Sequence, residues 1–446
     1  MSRIKVSKLP VDPGPAAWNC LLDTGPAAQV LDEDITADWL VIGAGFAGLA
    51  AARRLAQLCP TDRIVVLDAR RVAEGPAGRN SGFMIDLPHD LSSSDYGGAP
   101  DKDKVLTADN RHAIAFAAEM AAEYELGDDV FAQSGKINGA ATARGDAHNR
   151  DYAEHLATMG EPFEMLDAAA MKALTGTDYY QSGLFTAGTA MIQPAAFVRS
   201  VAAGLASNRV KIYENSAVTD LTRNGTWQAR TSTGSVNAPK VILAVNGHLN
   251  SFGFKANRLM HVFTYASMTR PLTAQETTAL GGQAVWGLTP ADPMGSTVRR
   301  IAAPGGPRII VRNRFTYDPS MEVSDTRIAT VGQDHDRAFR ARFPMLKGVE
   351  MQYCWGGRLC LSRNNVNVVQ ELEPDLYSAC CQNGLGTTRG TLSGMLAAEL
   401  ATNTASGRLD RATASPEPVK LPPQFLTKTG ANLYLKWQER QAGAEL

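Results

Sequence analysis

The sequence predicts an α/β fold in which a domain built on a parallel sheet is interrupted by an α+β domain built on an antiparallel sheet. Three observations support this prediction. A short apolar run at 37–42 leads into a glycine-rich turn and a helical pattern, and a second buried-strand pattern, KVILAV, follows at 240–245. Residues 261–343 instead alternate strand-like runs with Gly and Pro turns. Continuous apolar runs are typical of buried parallel strands, and short runs between turn residues are typical of antiparallel sheets.

Composition is that of an ordinary globular protein and excludes several function classes. The 446 residues are 44% hydrophobic and carry a formal net charge of -1, so no basic surface for nucleic acid is expected. The N-terminus lacks the apolar stretch of a signal peptide, and no window approaches the roughly 20 apolar residues of a membrane span. The six cysteines form no C-x-x-C pair, and the seven histidines show no metal-binding spacing. We expect a cytoplasmic protein with no metal site, nucleic-acid partner or transmembrane segment.

The first strand–turn–helix–strand unit carries the clearest motif. The turn Gly43-Ala44-Gly45-Phe46-Ala47-Gly48 follows the strand at 37–42 and opens a helical pattern at 49–59, and a β-branched run at 63–68 comes next. Gly43 permits the tight turn, Gly45 lets a pyrophosphate approach the helix N-terminus, and Gly48 lets the helix pack on the strand. Asp68, twenty residues beyond Gly48, can accept hydrogen bonds from ribose hydroxyls. The unit predicts a Rossmann-type dinucleotide site; a structural glycine turn that binds nothing is the alternative.

Three further stretches favour FAD over NAD as the dinucleotide. The loop 75–83 (GPAGRNSGF) is small and polar and lies just after the acidic strand end. The late strand at 240–247 (KVILAVNG) ends in small residues, and the loop 382–391 (QNGLGTTRGT) leads into a helix near the C-terminus. Such loops can surround a diphosphate and the edge of a flavin.

Together these stretches resemble the FAD-dependent amine and amino-acid oxidoreductases of the D-amino-acid oxidase superfamily. The similarity is greatest to γ-glutamylputrescine oxidase-like and D-amino-acid dehydrogenase-like members. It extends from Ala17-Trp18 through the GRNSG loop to MIQP at 191–194, WGGR at 355–358 and the last glycine loop. The resemblance implies a Rossmann-type, GR2-like FAD-binding domain with an inserted α+β substrate domain.

The predicted domains are discontinuous along the chain. A mostly irregular arm occupies 1–36, and a tail with an amphipathic helix around 433–440 occupies 406–446. The FAD-binding domain is assigned to 37–110, 186–260 and 346–405, and the substrate domain to 111–185 and 261–345.

The resemblance also implies which residues contact FAD. The helix that begins near Thr388 would direct its positive end at the flavin pyrimidine edge. The implied contacts are Gly43, Gly45 and Gly48 at the diphosphate; Asp68 and Arg70 at the adenosine end, with Val218 at adenine; Arg79, Asn80, Ser81 and Gly82 along the flavin; and Gly384, Gly386, Thr387 and Thr388 at its pyrimidine edge. Further implied cofactor-binding residues are Phe46, Ala47, Ala69, Gly78, Phe83, Asn246, Gly356, Arg358 and Leu385.

Cys360 raises the question of how the flavin is attached. In the sarcosine-oxidase branch of the superfamily a cysteine near this point carries the flavin covalently. An ordinary buried cysteine is the alternative, because free cysteines are among the most buried residues. The sequence favours non-covalent FAD and leaves a covalent link at Cys360 open.

The substrate end is predicted from charged residues near the flavin loops. Alternation along 308–315 (RIIVRNRF) would place Arg312 and Arg314 on one strand face, where either could anchor a substrate carboxylate. A solvated strand face is the alternative for both. Asp86, His89 and Tyr265 are further pocket candidates, with a surface histidine and a core tyrosine as the alternatives for the last two.

The predicted function is oxidation of the C–N bond of an amine or N-substituted amino acid to an imine, with hydride transfer to FAD. Two alternatives stay open: an FAD-linked 2-hydroxy-acid dehydrogenase, and a flavin-binding protein with a structural or redox-sensing role. The sarcosine branch uses a lysine to activate oxygen, and none lies between Lys255 and Lys347. O2 and a quinone or other acceptor therefore both stay open as the electron acceptor.

Overall fold

The computed structural model describes residues 2–88 and 97–446, so the predicted pocket residue His89 lies outside the described residues. The described strands are β1 Ser2–Lys5, β2 Asp34–Thr36, β3 Trp39–Ile42, β4 Ile64–Leu67, β5 Phe83–Met84, β6 Phe131–Ala132, β7 Lys136–Ala140, β8 Glu164–Asp167, β9 Ser182–Thr186, β10 Ala190–Ile192, β11 Val210–Tyr213, β12 Asp220–Asn224, β13 Thr226–Arg230, β14 Ser235–Ala238, β15 Lys240–Leu243, β16 Leu259–Thr269, β17 Trp286–Pro290, β18 Thr297–Ile301, β19 Arg308–Tyr317, β20 Met351–Ser362, β21 Val368–Glu373 and β22 Leu376–Cys380. The α-helices are α1 Ala17–Cys20, α2 Phe46–Leu58, α3 Pro100–Glu123, α4 Ala143–Met159, α5 Ala168–Thr175, α6 Pro194–Leu205, α7 Ala274–Leu280, α8 Asp325–Arg342, α9 Thr388–Ala401, α10 Gly407–Thr413 and α11 Gln424–Ala442.

A six-stranded sheet with the order β11-β4-β3-β15-β22-β21 forms the centre of the first domain. Neighbouring strands from β11 to β22 run parallel, and β21 pairs with β22 in the antiparallel direction. Every residue of β3 and β4 is buried, as their continuous apolar runs predict. The strands come from three distant parts of the sequence, so the sheet is complete only when the chain returns at β22.

The two faces of this parallel sheet are covered by different layers. Val41 and Val66 belong to a core cluster that includes α2 and α9. On the other face Leu40 and Val65 share a core with Trp227 of a five-stranded sheet, whose order is β1-β12-β13-β14-β2. Helices on one face and a small sheet on the other bury both sides of the parallel strands.

The N-terminal arm differs from the irregular segment that the sequence predicts. Strand β1 pairs with β12, and β2 pairs with β14, so both become edge strands of the five-stranded sheet. Trp18 of α1 is buried and donates a hydrogen bond from Nε1 to the Asn80 carbonyl at 2.9 Å. Strands of three or four residues leave too short a pattern to be read from the sequence, because their pairing partners lie some 200 residues away.

An eight-stranded sheet with the order β20-β16-β19-β18-β17-β7-β9-β8 forms the second domain, as predicted for the substrate domain. All neighbours are antiparallel except β17 and β7. Helix α8 covers one face, where Phe339 packs in a cluster with Ile309 and Val311. The predicted fold class, a parallel-sheet domain interrupted by an antiparallel α+β domain, is confirmed.

Three elements depart from the sequence prediction. Strand β20, which carries the WGGR segment, lies in the eight-stranded sheet, whereas 346–405 was assigned to the FAD-binding domain. Helix α3 continues across the predicted domain boundary at 110. Helix α8 occupies a part of 261–343 in which strands and turns were expected. Its buried residues, among them Ile328, Val331, His335 and Phe339, recur at helical spacing within a highly charged segment, so the helical period is easily missed.

The predicted C-terminal helix is present as α11 and packs on β19. Asn432 accepts a hydrogen bond from the Tyr317 backbone N–H at 2.9 Å, and Glu439 accepts one from the Phe315 N–H at 2.9 Å. Within the described chain, no helix combines the length and apolar character that crossing a bilayer requires.

Candidate active site

One elongated cavity runs along the carboxyl ends of β3, β4 and β15 and continues beneath the eight-stranded sheet. Ligands of open α/β sheets bind at this edge, where strand ends and helix N-termini converge. The predicted residues that line the cavity are Gly43, Gly45, Phe46, Ala47, Asp68, Ala69, Arg70, Asn80, Ser81, Phe83, Val218, Asn246, Arg358, Gly384, Leu385, Gly386, Thr387 and Arg312.

The glycine turn has the geometry that its motif predicts. Gly43 has φ +106°, and a Cβ there would lie 2.6 Å from the Ala244 carbonyl oxygen. A Cβ at Gly48 would lie 1.6 Å from the Gly43 carbonyl oxygen, so α2 can approach β3 only with glycine at this position. Gly45 precedes the first residue of α2 and presents no side chain to the cavity. The unpaired N–H groups of the first helical turn are therefore accessible to an anion.

Asp68 lies at the end of β4 with its carboxylate fixed by two backbone donors. The Ala44 N–H donates to Oδ2 at 2.7 Å, and the Arg70 N–H donates to Oδ1 at 2.9 Å. Burial raises the pKa of Asp68 to about 6, with the Glu214 carboxylate adding to the shift and the two backbone hydrogen bonds opposing it. Each oxygen keeps acceptor capacity for a ligand hydroxyl.

Hydrogen bonds hold the GRNSG loop in its conformation, and only some of its residues line the cavity. Asn80 Oδ1 accepts the Gly82 N–H at 2.8 Å, which closes the loop on itself. Arg79 is buried and donates to the carbonyls of Glu74, Pro13 and Gly14, and at 3.3 Å to that of Gly356. The guanidinium of Arg79 therefore ties the N-terminal arm to the loop.

Several predicted cofactor residues do not line the cavity. Gly48 and Gly78 are glycines because backbone carbonyls occupy the space of a side chain. Gly82 has φ +78°, and Gly356 supports Arg79 through its carbonyl. Thr388, the first residue of α9, is fully buried and its Oγ1 has no protein partner. The structure thus places Gly48, Gly78, Arg79, Gly82, Gly356 and Thr388 behind the cavity wall.

Arg299 of β18 is a buried residue that supports the GRNSG loop and that the sequence did not indicate. Its Nη1 donates to the carbonyls of Ser81, Gly82 and Ile192 at 2.9–3.0 Å, and its guanidinium lies over the rings of Trp18 and Phe83. Burial lowers the pKa of Arg299 to about 10. No motif surrounds this residue, and only the folded chain brings β18 against the loop.

The last glycine loop and α9 form the far end of the cofactor region. Thr387 donates a hydrogen bond from Oγ1 to the Phe83 carbonyl at 2.6 Å, which joins this loop to the GRNSG loop. A Cβ at Gly386 would meet no atom within 4 Å, so space is open beside this turn. Helix α9 begins at the cavity, and its N-terminal end carries partial positive charge.

Arg358 and Cys360 lie two residues apart on β20, and both line the cavity. Arg358 is buried and donates to the Met321 carbonyl at 3.3 Å. Burial and the Arg358 charge lower the pKa of His248 to about 2 and that of His261 to about 4, so both imidazoles are neutral. A hydrogen bond with the Cys381 thiol, together with burial, raises the pKa of Cys360 well above its ordinary value. The thiolate that covalent attachment needs is therefore disfavoured at Cys360.

A row of polar side chains crosses the cavity-facing side of the eight-stranded sheet. It consists of Thr289 on β17, Thr297 on β18 and Arg312 on β19, and we call it the polar row. Thr297 and Arg312 are paired in register, and the guanidinium of Arg312 lies 4.9 Å from the centre of the Phe315 ring. The opposite face of the same strands is apolar and packs under α8. Only one of the two faces is therefore available to a polar ligand.

The structure contradicts the prediction that Arg314 and Arg312 lie on the same face of the strand. The pairing of β16 with β19 shifts between Thr264 and Tyr265, and Arg314 is the extra residue, with φ +59°. A β-bulge of this kind interrupts the alternation of side chains. Arg314 is turned away from the cavity and donates to Asp334 at 2.9 Å and to Glu439 at 3.1 Å.

Tyr265 and Asp86 also lie away from the cavity. Tyr265 is fully buried on the α8 side of β16, where its hydroxyl is 2.6 Å from Thr316 Oγ1, and burial raises its pKa to about 12. Asp86 is fully buried, forms an ion pair with Arg111 at 3.0 Å and accepts a hydrogen bond from Thr189. These contacts are structural, so neither side chain is available to a substrate in this conformation.

Other cavity residues were not named from the sequence. The N-terminal arm contributes Lys8, Leu9, Pro10 and Asp12, and the substrate side contributes Ile85, Pro290 and Pro293 besides the two threonines. These residues belong to no motif, and their positions follow from the pairing of distant strands.

The residues of the cavity fit a flavin dinucleotide. The glycine-walled N-terminus of α2 suits a diphosphate, and the fixed carboxylate of Asp68 suits ribose hydroxyls. The cavity continues past the diphosphate position to the open turn at Gly386, which leaves room for a flavin ring at the N-terminus of α9.

Comparison with known proteins agrees with this fit. A family model described as FAD dependent oxidoreductase (DAO) matches residues 38–400. The chain is 24% identical over 407 residues to the probable oxidoreductase OrdL of Rhizobium meliloti, across 88% of this chain and 89% of that protein. It is 25% identical over 393 residues to the gamma-glutamylputrescine oxidoreductase of Escherichia coli, across 83% of this chain and 85% of that protein.

A solved structure has a similar fold. Glycine oxidase from Geobacillus kaustophilus superimposes with a TM-score of 0.67 at 17% sequence identity, covering 83% of this chain and 96% of that chain. The predicted resemblance, fold class and cofactor are thereby confirmed. Because the matching model spans most of the sequence, the chain belongs to the DAO family of FAD-dependent oxidoreductases.

Proposed function

We propose that the protein oxidises the C–N bond of an amine or N-substituted amino acid to an imine, which water then hydrolyses. The observation that carries the proposal is the polar row, which places Arg312 in the wall of the cavity that also forms the dinucleotide site. The names of the gamma-glutamylputrescine oxidoreductase and the glycine oxidase support an amine or amino acid as the substrate.

Arg312 is the proposed anchor for a substrate carboxylate. A planar guanidinium pairs with a carboxylate through two parallel hydrogen bonds, which fixes both the position and the orientation of the substrate. Thr289 and Thr297 offer hydroxyl groups beside it, and each hydroxyl can donate or accept a hydrogen bond. The row therefore suits a molecule that carries a carboxylate and an amine a short distance apart.

An apolar part of the cavity wall would help to keep water from the reacting atoms. Phe83, Ile85 and Leu385 belong to one buried cluster and all line the cavity. The chemistry supplied by a bound FAD would be that of the acceptor for the hydride of the substrate C–H bond. The chain needs only to hold that C–H bond against the flavin and to keep the amine neutral.

We further propose that FAD is held without a covalent bond, because the raised pKa of Cys360 disfavours the thiolate. The cofactor contacts and substrate contacts of these residues are proposed, and mutagenesis can test them. A cytoplasmic location and the identity of the electron acceptor, O2 or a quinone or another oxidant, stay predictions.

Anaerobic mixing of the purified yellow protein with a substrate panel tests the function. The panel contains primary and secondary amines, N-methyl amino acids, both enantiomers of common amino acids, and 2-hydroxy acids. We expect loss of the flavin absorbance with amines that carry a carboxylate, and none with hydroxy acids. Reduction by hydroxy acids alone would establish the 2-hydroxy-acid dehydrogenase instead, and no reduction by any class would favour the redox-sensing alternative.

A further inference from the structure

Lys136 is a buried cation directly behind the polar row. Its side chain is 3% exposed, and it belongs to β7, which pairs with β17 next to Thr289. Lys136 Nζ lies 3.3 Å from Thr289 Oγ1 and also donates to Asn138 Oδ1. Thr289 lines the cavity, whereas Lys136 and Asn138 do not. A lysine ammonium is thus one hydroxyl group away from the substrate side of the cavity.

No carboxylate pairs directly with Lys136 among the contacts of the described residues. The Asp86 carboxylate interacts electrostatically with Lys136. That carboxylate forms an ion pair with Arg111 and accepts a hydrogen bond from Thr189. Thr186 lies opposite Lys136 in the pairing of β7 with β9, and its buried Oγ1 has no protein partner. Among the described residues, the hydrogen-bond partners of Lys136 are therefore neutral: the Thr289 hydroxyl and the Asn138 amide. Burial lowers the pKa of Lys136 to about 8, and the Asp86 charge opposes this shift.

The hydroxyl of Thr289 has the connections of a proton relay. Thr289 Oγ1 donates to Asn138 Oδ1 at 2.6 Å while it accepts from Lys136. The backbone of Asn138 is itself held, because its main-chain carbonyl accepts a hydrogen bond from the Asn149 side chain at 2.9 Å. A hydroxyl hydrogen can rotate between acceptors, so a neutral Lys136 would become an acceptor for the Thr289 hydrogen.

We propose that Lys136, acting through the Thr289 hydroxyl, takes the proton that a substrate ammonium must lose before its C–N bond can be oxidised. The substrate N–H proton passes to Thr289 Oγ1 as the original Thr289 hydrogen passes to Lys136 Nζ. One N–H bond breaks on the substrate and one forms on the lysine, with no change in oxidation state. The proposal rests on the amine oxidation proposed above.

Stopped-flow measurement of flavin reduction from pH 6 to pH 10 tests the relay. The wild-type rate is expected to rise with pH to a midpoint near 8, where Lys136 loses its proton. The Lys136→Met variant should lose this midpoint, with a rate about 100-fold lower at pH 7 and within a few-fold of the wild type at pH 10, where the amine is already neutral. Thr289→Val should also lose the midpoint, but its rate should stay below that of the wild type at pH 10 as well, because the Thr289 hydroxyl is also a proposed substrate contact.

Three variants separate a relay from a structural effect. Thr289→Ser keeps the hydroxyl and should retain the wild-type profile. Lys136→Arg keeps the charge but cannot titrate in this range, so it should share the loss of the midpoint. Lys172→Met removes an exposed lysine of the same domain, paired with Asp178, and should change nothing.

The outcomes distinguish the relay from the underlying function. An unchanged midpoint in Lys136→Met, or a uniform loss of rate at every pH in both Lys136→Met and Thr289→Val, would overturn the relay and leave amine oxidation standing. Failure of every amine to reduce the wild-type flavin would overturn the proposed function and the relay with it. The FAD content and melting temperature of each variant show whether it has folded.

Discussion

The cofactor end and the substrate end of the cavity are built from different parts of the polypeptide. The cofactor end relies mainly on backbone groups, together with the Asp68 carboxylate. These groups are the glycine turn at Gly43, the first turns of α2 and α9, and the loop closed by Asn80. The proposed substrate end uses side chains on neighbouring strands, namely Thr289, Thr297 and Arg312. A backbone site tolerates little change in local geometry, whereas a side-chain site depends on which face of a strand each residue occupies.

The comparison predicts that changes at the cofactor end remove FAD, whereas changes at the substrate end leave FAD bound and alter turnover. If a change at the substrate end removed FAD, the two ends would be coupled more closely than their contacts indicate.

The largest effect is expected from Gly48→Val. Its Cβ would lie 1.6 Å from the Gly43 carbonyl oxygen, so α2 must move away from β3 and the diphosphate site is lost. We expect protein without bound FAD, measured by the ratio of absorbance at the flavin band to that of the protein. Gly430→Ala is the matched control, because a Cβ there meets no atom within 4 Å, and it should leave the FAD content unchanged.

Arg312→Met should have the next largest effect. The loss of a charged hydrogen-bond partner for the substrate carboxylate is expected to lower kcat/KM by about 10- to 100-fold with FAD still fully bound. Steady-state assays with a carboxylate substrate and with its decarboxylated amine measure the effect. Equal losses for both substrates would show that Arg312 does not hold the carboxylate.

Asp68→Asn should weaken FAD binding by about 10-fold, because a charged acceptor for the ribose hydroxyls becomes neutral. Burial raises the folded-state pKa of Asp68 from 3.8 to about 6 in the protein without cofactor. The carboxylate therefore costs the apoprotein stability as pH rises from about 4 to 6, while FAD affinity rises over the same interval. Titration of apoprotein with FAD from pH 5 to pH 8 should show this gain in the wild type and a flat profile in Asp68→Asn.

Arg314→Met is the matched counterpart of Arg312→Met on the same strand. Its loss leaves Glu439, whose side chain is 9% exposed, without its charged partner, so we expect a stability loss of about 1–3 kcal/mol. Thermal melting should detect this loss, and kcat/KM should stay within about twofold of the wild type. A large change in substrate affinity would contradict the assignment of the two arginines to opposite sides of the sheet.

Cys360→Ala should have the smallest effect. If FAD is held without a covalent bond, denaturation releases all flavin from both the wild type and the variant. Intact-mass measurement of the denatured protein checks this expectation, and a mass increase of one flavin in the wild type alone would identify Cys360 as the point of attachment.

The sequence predicts the cofactor and the loops that are candidates to hold it, because these signals are local. The order of strand, glycine turn and helix around Gly43, and the acidic residue at the end of β4, depend on a few neighbouring residues and on steric limits that hold in any fold. The GRNSG and GLGTT loops were located for the same reason. The two strands in the arm at 1–36 are not predicted from the sequence, because β1 and β2 form only when β12 and β14 are in place.

The substrate end could not be derived in the same way. Strict alternation places Arg312 and Arg314 on one face, and only the bulge opposite Thr264 and Tyr265 separates them. A bulge depends on the pairing of two strands rather than on the sequence of one. Lys136 and Arg299 carry no motif, and their buried positions follow from strands that meet far from them in sequence.

The sequence by itself therefore determined the cofactor and the general fold, because short-range rules for turns, helix N-termini and buried strands are nearly independent of context. The tertiary structure decided which charged side chains enter the cavity and which are buried behind it, because that division depends on strand register and on bulges. Arg312 and Arg314 show the division most directly: two identical residues, two positions apart, are separated by one extra residue in the pairing of β19 with β16.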